Sequence, residues 1–283
     1  MNKIDYRIIS WLGVLGVILR KQNPWFLLLC IFFIFGFFPN PKNKDKENLK
    51  EFYKTDLLSN FNPYILRQII LQIIGEIYLR IFDNKIEVSQ NTYGLPFNGS
   101  WTAVNGGNTK ETSHSWELLT QRFAYDFVIL DKNKLSFNEQ TENINSYYCY
   151  NKEIVSVQKG VVVKVVDNID DYEKVGNYSL DWKTKNIIGN HIIIKHSNGE
   201  YSLYAHLKNQ SIKVKKGDNV EKGELLAYCG NSGRSTEPHL HFQIMKNPNF
   251  FFAKSLKIKF GNIYDSNENE IEFVEKNNIV KNK

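Results

Sequence analysis

The chain has 283 residues, with 36 Lys and Arg against 30 Asp and Glu and a formal net charge of +6, which is room for one large domain or a domain with an appendage. The pI is about 8.9, and the lysines are scattered, so the basic surface suits anionic polymers without selecting one; no nucleic-acid partner is expected. Three cysteines, at 30, 149 and 229, form no C-x-x-C pair, which excludes a cysteine zinc knuckle and implies no disulfide framework, while a Cys149–Cys229 bridge stays open.

Residues 1–40 carry the strongest hydropathy signal. IISWLGVLGVIL (8–19) and WFLLLCIFFIFGFF (25–38) are apolar runs separated by RKQNP. Neither reaches the roughly 20 residues of a comfortable helical span. They read as membrane-anchoring segments, either an interfacial helix before a short span or a hairpin turning at RKQNP. No small-residue cleavage site follows Phe38, which argues against a signal peptide. Lys3, Arg7, Arg20 and Lys21 precede the second run, and Lys42, Lys44, Lys46 and Lys50 follow it. The positive-inside rule therefore leaves orientation open.

Residues 41–90 begin with a charged linker, PNPKNKDKENLKEFYK (39–54), and continue into NPYILRQIILQIIGEIYLRIF (62–82). The apolar residues of the latter recur at helical spacing beside a narrow polar stripe of Arg67, Gln68, Gln72, Glu76 and Arg80. This predicts an amphipathic helix that lies on a membrane or packs on the next domain.

Residues 91–275 change to short β-runs rich in Val, Ile, Leu and Tyr with Gly, Asn and Asp between them, which predicts a mainly β, antiparallel domain. Two polar inserts, 131–152 and 168–187, read as loops. KSLKIKFG and EIEFVEK read as a last strand pair, and 276–283 as a polar tail.

The run EPHLHFQI (237–244) places His239 and His241 on one face of a strand, about 6–7 Å apart. The pair can serve a metal ion or be a coincidence of a surface strand. FAYDF (123–127) puts Asp126 opposite Phe123, Tyr125 and Phe127. A carboxylate inside such a strand asks for a cation, or for backbone amides or an arginine. His114 lies upstream, and His206 in YSLYAHL shares a strand face with Tyr204. His191 and His196 are five residues apart, face opposite ways, and read as structural or surface groups. Glu237 reads as a loop residue.

YSLYAHL followed by VKKGDNVEKGELLAYCGNSGRSTEPHLHFQI resembles the lysostaphin-type (LytM-like) zinc metallopeptidase family. The match is dense over about 155–245 and extends weakly back to NGGNTKETSHSWELLTQRFAYDF. Here His114 and Asp126 are separated by eleven residues, as in a subgroup with a longer H…Q-R-x-A-x-D motif. The resemblance implies an antiparallel β-sandwich or barrel-like domain of the duplicated hybrid motif type; the N-terminal 90 residues, with the helical membrane anchor expected from their apolar runs, lie outside it. It also implies Zn2+ held by His114, Asp126 and His241, with His206 and His239 as the catalytic pair, one the base and the other a donor to the oxyanion. Three protein ligands leave a position for water. No H-E-x-x-H glutamate base is present.

The expected activity is zinc-dependent hydrolysis of peptide bonds in peptidoglycan stem peptides or cross-bridges. The expected location is the cell membrane, with the catalytic domain extracytoplasmic. An inactive LytM-like scaffold or activator of other wall hydrolases is the alternative, and the filled polar positions favour activity. A biotinyl or lipoyl carrier would need a modifiable lysine where NSGRSTEP stands.

Overall fold

The computed structural model describes residues 46–138 and 142–283. The apolar runs at 8–19 and 25–38 lie outside the described residues. The chain divides into two compact units, 1–53 and 54–283. Of the first, residues 46–53 are described, and they begin a helix, Lys46–Ser59. Part of the predicted linker is thus helical.

In the second unit a long helix, Pro63–Phe82, starts at Asn62, whose side chain accepts from the Tyr64 amide, with Pro63 in the first turn. Both features favour helix initiation. The strands follow as β1 (Val88–Tyr93), β2 (Trp101–Asn105), β3 (Tyr125–Val128), β4 (Glu153–Val155), β5 (Gly160–Val166), β6 (Asn190–Lys195), β7 (Tyr201–Leu207), β8 (Asn219–Val220), β9 (Leu225–Tyr228), β10 (Leu240–Met245), β11 (Ser255–Phe260), β12 (Ile263–Asp265) and β13 (Ile279–Asn282). The main sheet runs β12-β13-β2-β3-β10-β7-β6-β5-β8, with β11 also beside β10, and β4 pairs β9 separately.

The mainly β expectation matches this sheet, and the pairing is antiparallel except between β1 and β11, which run parallel. Alternation gives the sheet two apolar faces. Trp101, Tyr125, Phe127, Tyr204 and Phe242 share one cluster, while Ile193, Leu203, Ala205, Met245 and Phe250 share the other. The inserts 131–152 and 168–187 are irregular where described, apart from a short 3-10 turn, Ile144–Ser146.

Two strand readings are corrected. EIEFVEK makes one isolated bridge, Tyr264 to Glu270, because its later residues are used as a clasp: Val274 O accepts from Tyr125 Oη, and Glu275 accepts from Asn108. The predicted polar tail instead supplies β13, which pairs with β2 and β12. Val280 is buried there, and that burial is what the short polar run does not advertise.

His191 and His196 are buried, not surface groups. His196 sits between Lys159 O and Ser202 Oγ. His191 Nδ1 donates to Gly189 O, its Nε2 has no partner among the described residues, and burial pushes its pKa down from 6.5 to about 4. A histidine depressed in the folded state stabilises the fold fully above about pH 6.5 and less as pH falls toward 4, because the unfolded chain takes the proton first. Between pH 7 and pH 5 the loss should be about 2 kcal/mol. Urea titrations at the two pH values should show this, and His191→Leu should flatten the difference; an unchanged difference in the variant would remove His191 as its cause.

Candidate metal and catalytic site

Strand register builds the site. In β10, His241 stands opposite Asp126 of β3 on one side and Ala205 of β7 on the other. The odd-numbered side chains His239, His241 and Gln243 leave the aromatic face. Asp126 does the same from β3, as the alternation in FAYDF predicts.

His206 does not follow alternation. Its φ is +59°, a left-handed conformation that costs a branched or bulky residue energy and is held by its surroundings. That turn carries the imidazole away from Tyr204, whose ring stays in the aromatic core, and brings it 4.6 Å from the His239 ring and 6.1 Å from the His241 ring, centre to centre. The sequence reading that put Tyr204 and His206 on one face is corrected by this backbone flip. His206 is held by Ser232 O, 2.8 Å from Nδ1. Gly189 makes room for that carbonyl: its φ is +59°, and a Cβ would lie 2.3 Å from Ser232 O.

His114, Asp126, His206, His239 and His241 line one cavity of about 310 Å³. Leu180, Ile187, Ile188 and Phe250 supply an apolar wall, and Gln121, Arg234, Ser235 and Thr236 a polar rim. Asp126 is the hub. Its carboxylate is 3.0 Å from His241 Nδ1, 3.5 Å from His114 Nε2 and 3.7 Å from His239 Nε2, and Asn105 donates to Oδ2 at 3.1 Å. Burial works to raise the Asp126 pKa, but the His241 hydrogen bond and the neighbouring imidazoles outweigh it and hold the carboxyl far below its ordinary range. The His114 side chain is the most open, 34% exposed against 6% for His241.

The ring tautomers follow from the partners. His206 Nδ1–H donates to Ser232 O, and His239 Nδ1–H to Glu237 O at 2.9 Å, so both carry a bare Nε2. Burial, then the neighbouring His239 and His241 rings, keep His206 well below the usual histidine pKa; it is neutral at pH 7.

Sequence reasoning missed the supports. Gln243 Nε2 donates to Thr120 O at 3.0 Å, which turns its Oε1 toward His241 Nε2, 3.2 Å away. With Nε2–H donating to Gln243, Nδ1 of His241 presents its lone pair to Asp126. A bare nitrogen 3.0 Å from a carboxylate oxygen needs a positive charge between them, a proton or a metal ion. Glu76 of the long helix, buried at 7% exposure, accepts from the Leu119 amide and from the amide and hydroxyl of Thr120. Arg122 bonds Trp116 O at 2.7 Å and stacks over that indole. These contacts fix the irregular segment that carries His114. The Gln243 position was visible as the next same-face residue after His241; Glu76 was read only as part of a narrow polar stripe.

Cys149 and Cys229 are free and buried. The Cys149 thiol donates to Pro238 O at 3.0 Å, steadying the backbone just before His239. Glu237 accepts from Ser136 and lies off the cavity lining.

Among the described residues no group of three or more His, Cys, Asp or Glu stands in a ready metal-coordinating arrangement. The donor types nonetheless fit a zinc ion: two imidazoles and one carboxylate, centred on a carboxylate whose contacts call for added positive charge.

The Peptidase family M23 model matches residues 141–251, a stretch that contains His206, His239 and His241 but not His114 or Asp126. The chain is 42% identical over 57 residues to the peptidoglycan DD-endopeptidase ShyA of Vibrio cholerae, covering 20% of this chain and 13% of that protein. It is 46% identical over 55 residues to the DD-carboxypeptidase/endopeptidase Mpg of Neisseria meningitidis, covering 19% and 12%. It therefore spans about an eighth of the length of these curated relatives. Among solved structures, a zinc-containing peptidase from Vibrio cholerae is similar at 20% identity and TM-score 0.30, covering 60% of this chain and 39% of that one. The catalytic domain of lysostaphin from Staphylococcus simulans is similar at 19% identity and TM-score 0.31, covering 56% and 88%. Over residues 141–251 this chain is thus similar to Peptidase family M23.

Proposed function

We propose that this chain is a membrane-attached, zinc-dependent endopeptidase that hydrolyses peptide bonds in peptidoglycan stem peptides or cross-bridges, with its catalytic domain on the extracytoplasmic side. The observation that carries the reading is the convergence of three imidazoles on the buried Asp126 carboxylate. In this reading His114, Asp126 and His241 hold the ion. Bound there, Zn2+ supplies Lewis-acid polarisation of the scissile carbonyl and acidifies a water nucleophile toward a pKa of about 7.

The remaining steps belong to the protein. Gln243 fixes the His241 tautomer so that Nδ1 faces Asp126, the kind of outer contact that orients a metal ligand. His206 and His239 each aim a bare Nε2 at the cavity. In neutral form one takes the proton from the attacking water, and after protonation passes it to the leaving amine. The other, when protonated, donates to the tetrahedral oxyanion. Each ring is anchored through Nδ1 to a backbone carbonyl, which leaves Nε2 as the atom that meets the substrate. The apolar wall of Leu180, Ile187 and Phe250 lowers the local dielectric and strengthens these contacts. The substrate class is supported by the printed activities of the DD-endopeptidase relatives, and membrane attachment by the apolar runs 8–19 and 25–38.

The test is incubation of the purified full chain with peptidoglycan, with and without a chelator, followed by mass spectrometry of the new termini. The expected result is release of peptides that stops with chelator and in His241→Ala. Release that persists in both would refute the zinc reading.

A further inference from the structure

The Pro63–Phe82 helix has two apolar faces, and the domain covers one. Ile65, Gly75, Glu76 and Leu79 are buried against it. Gly75 marks the closest approach, since a Cβ there would lie 1.7 Å from Phe251 O. The opposite face is a row of Leu66, Ile70, Ile73, Ile74, Ile77 and Ile81, from 46% to 66% exposed. At about 100° per residue these six fall within a stripe roughly 100° wide over a helix about 30 Å long. Scattered exposed apolar residues are ordinary; a continuous stripe of large aliphatics marks a surface that something covers.

The charges beside it are basic. Arg67 and Arg80 are exposed and flank the stripe about 70° to either side of its midline; the Arg80 guanidinium donates to Glu117 O, and Arg67 projects from the other flank. Gln68 bonds Lys185 O, and Asn62 bonds Trp182 O and Thr184 O, which lays the exposed Lys183 and Lys185 beside the first half of the helix. The carboxylates nearby are engaged. Glu76 faces the domain, Asp56 pairs with Arg234, and Asp83 and Glu87 pair with Lys254.

We infer that this stripe docks flat on an anionic lipid bilayer, its isoleucines below the headgroups and Arg67 reaching back to the phosphates. Apolar stripe and cationic flanks are the composition of interfacial helices, and arginine can lie along apolar surface while its head stays wet. A spanning role is not needed: no helix among the described residues is long and apolar enough to cross a membrane. The inference rests on the proposed membrane attachment, because the apolar runs 8–19 and 25–38 end only 24 residues before Pro63. It adds that the folded domain itself lies against the surface.

The full chain is mixed with vesicles of phosphatidylethanolamine and phosphatidylglycerol, carrying a photoreactive diazirine amino acid at Ile77 or, as a control, at Lys216 in a turn remote in sequence. Ile77 is exposed, so its replacement leaves the core intact. The expected result is co-sedimentation of the chain with vesicles, lipid adducts at position 77, and none at position 216. Co-sedimentation without lipid adducts at 77, or with cross-links from 77 to a second copy, overturns the docking and leaves the attachment standing. A chain that stays in solution overturns both.

Discussion

Asp126→Asn should leave a folded chain that retains no zinc after dialysis and loses activity on peptidoglycan by about 10³-fold or more, since removal of even one oxyanion donor commonly costs 10²–10³. Three imidazoles contact this carboxylate, and its ionised form is what the site stabilises. The amide is nearly isosteric and keeps the Asn105 contact geometry, but it removes the negative charge and replaces one acceptor oxygen with a donor. His114 and His241 then face a neutral group, and the attraction that gathers a divalent ion is lost. Metal analysis and kcat/KM measured on the same preparation check the prediction. A variant that keeps stoichiometric metal would place the metal elsewhere.

His206→Ala should behave differently. Zinc content should stay at the native level, while kcat falls by 10²–10⁴, the usual worth of a positioned acid or base, and KM changes little. The distinction follows from geometry. His206 lies tilted beside His239 and edge-on to His241 and is anchored by Ser232 O, but it makes no contact with Asp126 within ion-pair distance. His239 faces Asp126 through Nε2 at 3.7 Å, so His239→Ala is the sharper test of the proposed pair, and the scheme expects the same split there. Loss of zinc in either variant would reassign that histidine as a ligand. Native activity in both would remove the proton-transfer scheme.

Period-two patterning made part of this site legible. PHLHFQI and FAYDF carry their alternation openly, so the facing of Asp126, His239 and His241 follows from sequence. The His206 facing does not, because it depends on one positive φ set by contacts with Ile188, Ser232 and Gly230. His114 sits in an irregular stretch whose shape is imposed by Glu76, 38 residues away, and by Arg122 over Trp116. Such long-range hydrogen bonds leave no periodic trace. The same holds for β13, where of the four residues Ile279–Asn282 Val280 alone is buried. The long helix was read as lying on a membrane or packing on the domain; its buried face does the second, and its exposed stripe is free for the first.

The central claim is tested most directly by diffraction from crystals of the full chain grown with zinc, with data on both sides of the zinc absorption edge. One anomalous peak per chain is expected, bonded to His114, Asp126 and His241, with His206 and His239 close by but unbonded. A peak held by other side chains, or none at this cavity at full zinc loading, would contradict it.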